Sequence, residues 1–225
     1  MLLDWLFAPR CAACAAPGSP LCEPCAGSLL ELGPACVRCA EPIGEHEPAT
    51  CRRCTREPLP LEQIVTPWRF GGQLASAIRR LKFTQRSHVA RDLAPLWAPL
   101  LAAVVDGRDA IVVPVPLHWR RRLRRGYDHA WLLALHGCRA ANIPPPRAML
   151  RRIRAAPAQS TLSAAARRAN LHGAFVVRDA RAVAGRTIVL VDDVVTTGST
   201  MAAAATPLIA AGAASVIGVA LARST

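Results

Sequence analysis

Eight of the nine cysteines fall into four C-x-x-C pairs between residues 11 and 54, and this spacing constrains the N-terminal fold more than any other feature. A two-residue gap lets both sulfurs of one pair turn toward a tetrahedral ion, and two pairs complete a four-cysteine zinc site. Because sulfur fills every position on such an ion, both sites are predicted to be structural. The pattern predicts two zinc ions with the ligands Cys11, Cys14, Cys22, Cys25, Cys36, Cys39, Cys51 and Cys54.

The pairing of these cysteines leaves two arrangements open. The short interval between Cys14 and Cys22 suits a tight hairpin and favours sequential pairing, which gives two consecutive zinc ribbons; a cross-braced arrangement stays open. Disulfides are the competing interpretation, but residues 1–10 show no secretory signal, so a reducing compartment is expected. A proline-broken linker follows, and we predict a zinc module over residues 1–58 and a second domain over 59–225.

The second domain alternates strand patterns with helix patterns. Apolar runs predict strands, and apolar residues at helical spacing predict helices between them. Pro95 and Pro99 are expected to kink or split one of the helices. Alternation of this kind predicts an α/β fold with a doubly wound, mostly parallel sheet flanked by helices. The predicted strands cover 63–70, 110–116, 186–193 and 214–222, and the predicted helices cover 71–83, 92–105, about 128–141 and 199–211.

No membrane span is expected, although residues 194–222 carry no charge. This stretch contains a polar loop, Pro207 and Gly212, and much of it is alanine, which inserts weakly into a bilayer. A buried helix followed by a buried strand explains it better. A soluble, cytoplasmic protein is therefore expected.

The positive charge is concentrated in one region of the chain. Residues 117–186 contain fifteen arginines and two acids, a balance of 15 − 2 = +13 that equals the net charge of the whole chain. This region is either a polyanion-binding surface or a solvated surface in an arginine-rich chain. On the first alternative, residues 120–125 and 147–154 form a groove for single-stranded DNA. Stacking would come from Trp119, Tyr127 and Trp131, although the helical spacing of Trp131 from Tyr127 favours a core position for it.

The segment "IVLVDDVVTTGST" (188–200) carries the strongest chemical signal. A buried strand delivers Asp192 and Asp193 to the sheet edge where ligands of parallel sheets bind. Paired carboxylates accept hydrogen bonds from a vicinal diol or hold Mg2+. The following hydroxyl-rich loop enters a helix N-terminus, which favours a phosphate. The segment predicts a ribose 5-phosphate site, because capping hydroxyls alone leave the two acids unexplained.

These residues resemble the signature of the type I phosphoribosyltransferases. "VLVDDVVTTGST" fits that signature, a hydrophobic strand, two acids, two apolar residues and T-x-G-x-T, at every position. The resemblance implies that the two acids contact the ribose hydroxyls of phosphoribosyl pyrophosphate (PRPP). It assigns the 5-phosphate to Thr196, Thr197, Gly198, Ser199 and Thr200. Hypoxanthine-type members carry an Asp at the position of Thr196, so its absence argues against that substrate.

The order of motifs along the chain resembles the ComF family. The four C-x-x-C pairs precede "PVPLHWRRRLRRGYDHA", "AQSTLSAAARRANLHGAF" and "VLVDDVVTTGSTM", and together these motifs cover nearly the whole chain. The family joins a zinc module to a phosphoribosyltransferase-like domain and is linked to natural competence and the use of imported DNA. Asp128 and His129 stand where relatives commonly carry Asn and Gln.

The resemblance also implies positions for the diphosphate of PRPP and its Mg2+. Leu117 and His118 occupy the diphosphate-binding turn, although His118 alternatively caps it, and Arg125 is placed to meet the anion. Lys82 either reaches the same anion or covers a surface. The water-excluding hood would carry Gln159, Arg168 and Asn170.

Two classes of function follow from these patterns. In the first, the chain is a PRPP-binding protein that handles single-stranded DNA together with DNA-uptake proteins. In the second, it is an active transferase that passes phosphoribosyl to a nucleobase or amine, although the sequence names no general base for the acceptor.

Overall fold

A parallel sheet forms the centre of the molecule in the computed structural model, which describes residues 9–83, 86–154, 171 and 173–224. The described strands are β1 (Gln63–Val65), β2 (Trp68–Arg69), β3 (Ala110–Pro114), β4 (Leu150–Arg152), β5 (Phe175–Val177), β6 (Thr187–Val195) and β7 (Ser215–Arg223). Parallel pairing gives the order β1-β7-β6-β3, and β2 also pairs with β7. A separate antiparallel pair joins β4 to β5. The predicted mostly parallel α/β sheet is confirmed.

Helices cover both faces of this sheet. Those of the described residues are α1 (Glu23–Gly27), α2 (Arg52–Arg56), α3 (Gly72–Phe83), α4 (Val89–Leu93), α5 (Ala98–Val105), α6 (Trp119–Arg125), α7 (His129–Ala140) and α8 (Ser199–Ala210), with a 3-10 turn at Ala94–Leu96. Alternate residues of β6 pack into opposite cores: Ile188 and Leu190 on the side of α8, and Val189 and Val191 on the side of α3 and α7. Burial of both strand faces explains why β6 is apolar throughout its first part.

Local chemistry accounts for where several elements begin and end. The predicted strand 63–70 is divided between β1 and β2 at Thr66 and Pro67, because proline offers no N–H to a ladder. The helix predicted over about 128–141 begins at His129, because the Asp128 carboxylate accepts the N–H groups of Ala130 and Trp131 as an N-cap. Helix α6 was not predicted.

The cysteine-rich segment packs directly against the edge of the sheet. The N–H of Leu32 donates to the Pro67 carbonyl at 2.9 Å, and the N–H of Arg69 donates to the Leu30 carbonyl at 2.8 Å. Cys11 and Cys25 are buried in the same apolar cluster as Leu74 of α3. Among the helices that the structure describes, none has the length and apolar character needed to cross a bilayer.

Candidate functional site

A cavity of about 260 Å3 opens at the carboxyl ends of β3 and β6. Strand β6 continues two residues past the acid pair to Val195, whereas the sequence predicted an end at Asp193. Strand β3 leads into the Pro116–Leu117 turn on the other side of the cavity. The cavity is lined by Lys82, Val115, Pro116, Leu117, Arg121, Arg125, His129, Arg152, Asp192, Asp193, Val194, Thr196 and Thr200.

Asp193 is held inside a cluster of cationic side chains. It is 3% exposed, and one of its carboxylate oxygens lies 2.7 Å from Lys82 Nζ and 3.2 Å from His129 Nε2. Burial alone would raise the pKa of Asp193, but His129 and Lys82 outweigh it and lower that pKa below its ordinary value. Asp193 is therefore ionised and already paired within the protein.

Asp192 differs from its neighbour in both exposure and charge state. It is half-buried at the cavity wall, and its carboxylate accepts the N–H of Asp193 at 2.9 Å. Burial and the adjacent charge of Asp193 raise the pKa of Asp192 to about 7. A ligand that offers hydroxyl donors or a divalent cation would stabilise its ionised form. Asp192 is thus the acid of the pair that is available to a ligand.

The hydroxyl-rich loop reaches the cavity through its first and last residues. Thr196 and Thr200 line the cavity. The hydroxyl groups of Thr197 and Ser199 are instead hydrogen-bonded to each other, with 2.7 Å between their oxygens. Gly198 has φ +77° and precedes α8, a conformation that favours glycine. The first N–H groups of α8 lack intrahelical acceptors, so this end of the cavity suits an anion.

Three arginines face the acid pair across the cavity. Arg121 and Arg125 lie one turn apart on α6, and an Nη of Arg125 lies 3.1 Å from His129 Nδ1. Arg152 is only 8% exposed and packs over the Phe175 ring at 5.3 Å. Burial, together with the charge of Arg121, lowers the pKa of Arg152. The Arg152 Nε donates to the Arg154 carbonyl at 3.3 Å, but no carboxylate of the described residues lies within ion-pair distance of this guanidinium. An anionic ligand would therefore offset the cost of burying its charge.

Asp128 connects the Leu117 turn to the start of α7. Its carboxylate accepts the Leu117 N–H at 3.0 Å while it also caps the helix. The Leu117 turn is thereby positioned by a buried helix rather than left as a free loop.

His118 does not line the cavity. It is buried, and its Nδ1 accepts the N–H of Arg120 at 3.4 Å, which makes it the N-cap of α6. Burial and the neighbouring Arg152, Arg120 and Arg121 lower the pKa of His118, so it is neutral. The contacts of His118 are those of the turn-capping alternative.

The cavity therefore brings together Asp192, Asp193, Thr196, Thr200, Leu117, Arg125 and Lys82 from the predicted set. Gln159, Arg168 and Asn170 lie outside the described residues. Sequence reasoning did not assign His129, Arg121 or Arg152 to this site. Arg152 lies two residues after the buried Leu150, and in a strand this spacing places both side chains on one face. The sequence did not predict a strand at β4, so this spacing could not be used to assign Arg152 to the site.

The cysteines form two clusters in sequential order. The first contains Cys11, Cys14, Cys22 and Cys25, and the second contains Cys36, Cys39, Cys51 and Cys54. Sulfurs at tetrahedral vertices about 2.3 Å from a zinc ion lie about 3.8 Å apart. The Sγ atoms of Cys14 and Cys22, and those of Cys39 and Cys51, are 3.7 Å apart.

Backbone groups also prepare both clusters for metal. The N–H of Cys22 points to Cys11 Sγ at 3.5 Å, and the N–H of Cys51 points to Cys36 Sγ at 3.3 Å. Although burial opposes it, backbone N–H groups lower the pKa of Cys11 to about 6 and that of Cys36 to about 7. Burial raises the pKa of Cys25 to about 12 and raises the pKa values of Cys39 and Cys54 above their ordinary value. The four-sulfur donor set and its spacing fit zinc at both clusters.

Comparisons with known proteins found two family models and several relatives that match this chain. A family model described as "Double zinc ribbon domain" matches residues 2–55, and one described as "Phosphoribosyl transferase domain" matches residues 138–224. The chain is 36% identical over 203 residues to the "DNA utilization protein YhgH" of Salmonella typhi, with 87% of each chain covered.

Two further relatives are named as competence proteins. The "Competence protein F" of Haemophilus influenzae is 31% identical over 189 residues, with 80% of each chain covered. The "Competence protein ComFC" of Bacillus subtilis is 27% identical over 216 residues, which cover 92% of this chain and 86% of that protein.

Proposed function

The chain belongs to the ComF family, and from that premise we propose that it binds PRPP with Mg2+ and takes part in the use of imported single-stranded DNA. The cavity at the end of β6 is the observation that supports PRPP binding. It combines one available carboxylate, Asp192, with desolvated cations and a helix N-terminus. A ligand with hydroxyl groups between two anionic ends, such as PRPP, matches this distribution.

Each part of PRPP has a proposed partner among these residues. Asp192 accepts the ribose hydroxyls, and Thr196 and Thr200 meet the 5-phosphate at the start of α8. Arg125 and Arg152 meet the diphosphate, whose charge bound Mg2+ would also neutralise. Asp193 holds Lys82 and His129 in place instead of binding the ribose directly. The hood residues Gln159, Arg168 and Asn170 are proposed to close over this ligand.

The N-terminal segment and the remainder of the chain have separate proposed roles. We divide it into a zinc module over 1–58 and a phosphoribosyltransferase-like domain over 59–225, with one zinc ion at each cysteine cluster. The cytoplasm suits such a protein, because a reducing compartment keeps the thiolates available to zinc. Two zinc ions per chain in elemental analysis would support this assignment.

Titration of the protein with PRPP and Mg2+ in a calorimeter tests the ligand. The native chain should bind, and Asp192→Asn should bind at least about tenfold more weakly, because a hydrogen bond to a charged group contributes about 1.5–3 kcal/mol. Asp106→Asn removes the same charge at an exposed helix end and should leave the affinity unchanged. An absence of PRPP binding by the native chain would overturn the ribose-phosphate assignment.

The second part of the proposal depends on the outer face of α6. Arg121 and Arg125 turn toward the cavity, whereas Arg120, Arg124 and Trp119 are exposed. Trp119 is 56% exposed, with the Arg120 guanidinium 5.2 Å from its ring centre. Exposed aromatic and cationic groups side by side suit the stacked bases and phosphates of a single strand.

Trp119 is also better placed for stacking than the other two predicted aromatics. The Tyr127 hydroxyl donates to the Leu81 carbonyl, and Tyr127 packs against the core on the side of α3. Trp131 is half-buried on α7. We therefore propose Trp119 as the residue on which a base stacks.

Single-strand binding should weaken when the exposed arginines of α6 are neutralised. Arg120→Gln with Arg124→Gln should lower the slope of log affinity against log salt by about 1.4, since each phosphate contact on a single strand contributes about 0.7. Fluorescence anisotropy with a labelled oligonucleotide measures this slope. Arg52→Gln with Arg56→Gln is the matched control, because it neutralises two exposed arginines at the same spacing on α2. Equal losses in the two double variants would contradict a DNA surface on α6.

One observation favours the second candidate function, transfer of phosphoribosyl to an acceptor. A further cavity of about 350 Å3 lies on the other side of Pro116 and is lined in part by Tyr127, Trp131, Arg122 and Arg178. Its aromatic walls and cationic side chains suit a flat, carbonyl-bearing ring such as a nucleobase. Release of pyrophosphate from PRPP in the presence of a nucleobase would support this function.

A further inference from the structure

We propose that the second cysteine cluster holds the phosphate-binding loop, residues 196–200, in its binding conformation, so that zinc at this cluster sets the affinity for ribose phosphate. The proposal rests on the ribose-phosphate site proposed above. It assigns Leu59 as a positioning residue, and it gives the two zinc ribbons different functions.

Leu59 touches both the loop and the cluster. Gly198 lies so close to Leu59 and Ile64 that a Cβ added to it would be 2.9 Å from the Cδ1 atom of each. Leu59 also packs against the small core formed by Cys36, Cys39 and Cys54. One leucine side chain therefore transmits the position of the cluster to the residue at the centre of the loop.

The backbone of the first C-x-x-C pair of this cluster fixes the same two apolar residues. Arg38 lies between Cys36 and Cys39, and its carbonyl accepts the Ile64 N–H at 3.0 Å. Its guanidinium donates to the carbonyls of Leu59 at 3.3 Å and Leu61 at 3.0 Å. When the pair of cysteines is fixed by a metal, the support beneath Gly198 is fixed with it.

A buried arginine makes a second connection from the end of the sheet. Arg223 pairs with Val195 in the β6–β7 register, immediately before the loop begins, and the N–H of Ser224 donates to the Val195 carbonyl at 2.8 Å. The Arg223 side chain is 2% exposed, donates to the Cys39 carbonyl at 3.0 Å and forms an ion pair with Glu41.

The charge of a loaded cluster suits this arginine. A zinc ion with four thiolates carries about −2 charge, which favours a buried guanidinium beside it. Without the cluster, Arg223 would lose the Cys39 carbonyl and the nearby negative charge, and the strand end that delivers the loop would lose its anchor.

The first cluster makes its contacts elsewhere. Cys11 and Cys25 pack into the core on the side of α3, together with Leu74 and Ile78. The contacts to Gly198 come from Leu59 and Ile64, which follow the second cluster. The contacts to Val195 come from the end of β7, where Arg223 donates to the Cys39 carbonyl of that cluster. Among the residues that the structure describes, the first zinc ribbon makes none of these contacts to the loop, so it serves as a matched control for the second.

Calorimetric titration with ribose 5-phosphate, combined with zinc analysis, tests the coupling. Leu59→Ala should retain two zinc ions per chain and bind ribose 5-phosphate about tenfold more weakly, because a smaller fraction of molecules holds the loop in its binding form. Leu21→Ala, beside the first cluster, should retain the native affinity. Cys39→Ser and Cys14→Ser should each lose one zinc ion, but only Cys39→Ser should lose affinity.

The outcomes separate this proposal from the one on which it rests. Equal affinities for the native chain and Leu59→Ala, or equal losses in Cys39→Ser and Cys14→Ser, would overturn the coupling and leave the ribose-phosphate site standing. No binding of ribose 5-phosphate or PRPP by the native chain would overturn the site itself. If Cys39→Ser does not fold, the comparison of Leu59→Ala with Leu21→Ala still decides.

Discussion

Replacing Asp193 with asparagine is expected to lower the free energy of unfolding by about 3–5 kcal/mol, the usual cost of removing one partner from a buried ion pair. The carboxylate lies 2.7 Å from Lys82 Nζ and 3.2 Å from His129 Nε2, and the variant removes the ion-pair partner of Lys82, which leaves only the adjacent Asp192 to balance its charge. Urea unfolding of the zinc-loaded protein measures the loss. The fold and the ligand site both depend on this one residue.

A second substitution identifies the cause of that loss. Lys82→Met in the Asp193→Asn background should recover part of the stability, because it removes the ammonium group left without its ion-pair partner. Because the pKa of Asp193 is lowered on folding, its contribution should be full above the unfolded-state value near 3.8 and should disappear as the pH falls through the lower folded-state pKa. Native stability in Asp193→Asn at neutral pH would contradict the assignment of this cluster as a structural ion network.

Replacing Arg152 with methionine is expected to weaken PRPP binding by about 100-fold while leaving the stability unchanged or higher. A desolvated cation that contacts an anionic ligand contributes about 2–5 kcal/mol to binding. The same cation is costly in the free protein, because it is 8% exposed and no described carboxylate pairs with it. An apolar side chain of similar length removes that cost. Calorimetry and thermal unfolding on the same samples measure both effects.

Arg151→Met is the matched control for this prediction. Arg151 is the neighbouring residue of β4 and is exposed, because successive side chains of a strand point to opposite sides. Its replacement should change neither the affinity for PRPP nor the stability by much. Unchanged affinity in Arg152→Met would remove this residue from the diphosphate site, and a large loss of stability would show that Arg152 is structural.

The opposite expected effects of Asp193 and Arg152 separate two kinds of buried charge in one cavity. The charge of Asp193 is balanced by protein cations before any ligand arrives, so it contributes to stability. The charge of Arg152 is balanced only in part, by the more distant Asp192, so we expect its favourable partner to be a bound anion. We therefore expect Arg152 to lower the stability and favour binding of an anion, and Asp193 to raise the stability.

Short-range patterns were sufficient to predict much of this protein. The C-x-x-C spacing predicted two four-sulfur sites, because a two-residue gap directs both sulfurs to one ion whatever surrounds them. The apolar runs before Pro116 and Asp192 predicted parallel strands, because strands buried on both faces have no polar alternation. The motif after β6 predicted a phosphate loop, since strand, turn and helix N-terminus are consecutive in the chain.

Contacts between distant segments could not be predicted in this way. Asp192 and Asp193 are adjacent and chemically identical, and the sequence assigned both to the ribose. In the structure, the Asp193 carboxylate instead contacts Lys82 of α3 and His129 of α7. Arg152 and Arg121 were indistinguishable from the other arginines of the basic region until β4 and α6 placed them at the cavity.

What the sequence determined by itself was therefore the fold class and the presence of two four-cysteine zinc sites, and it also predicted the phosphate loop, because each depends on residues close together in the chain. Only the tertiary structure decided which acid pairs with Lys82 and His129, which arginines line the cavity and that Leu59 and Ile64 pack against Gly198. These depend on contacts between residues up to about 180 positions apart, such as the one from the Arg223 side chain to the Cys39 carbonyl, and such contacts are decided by packing rather than by spacing.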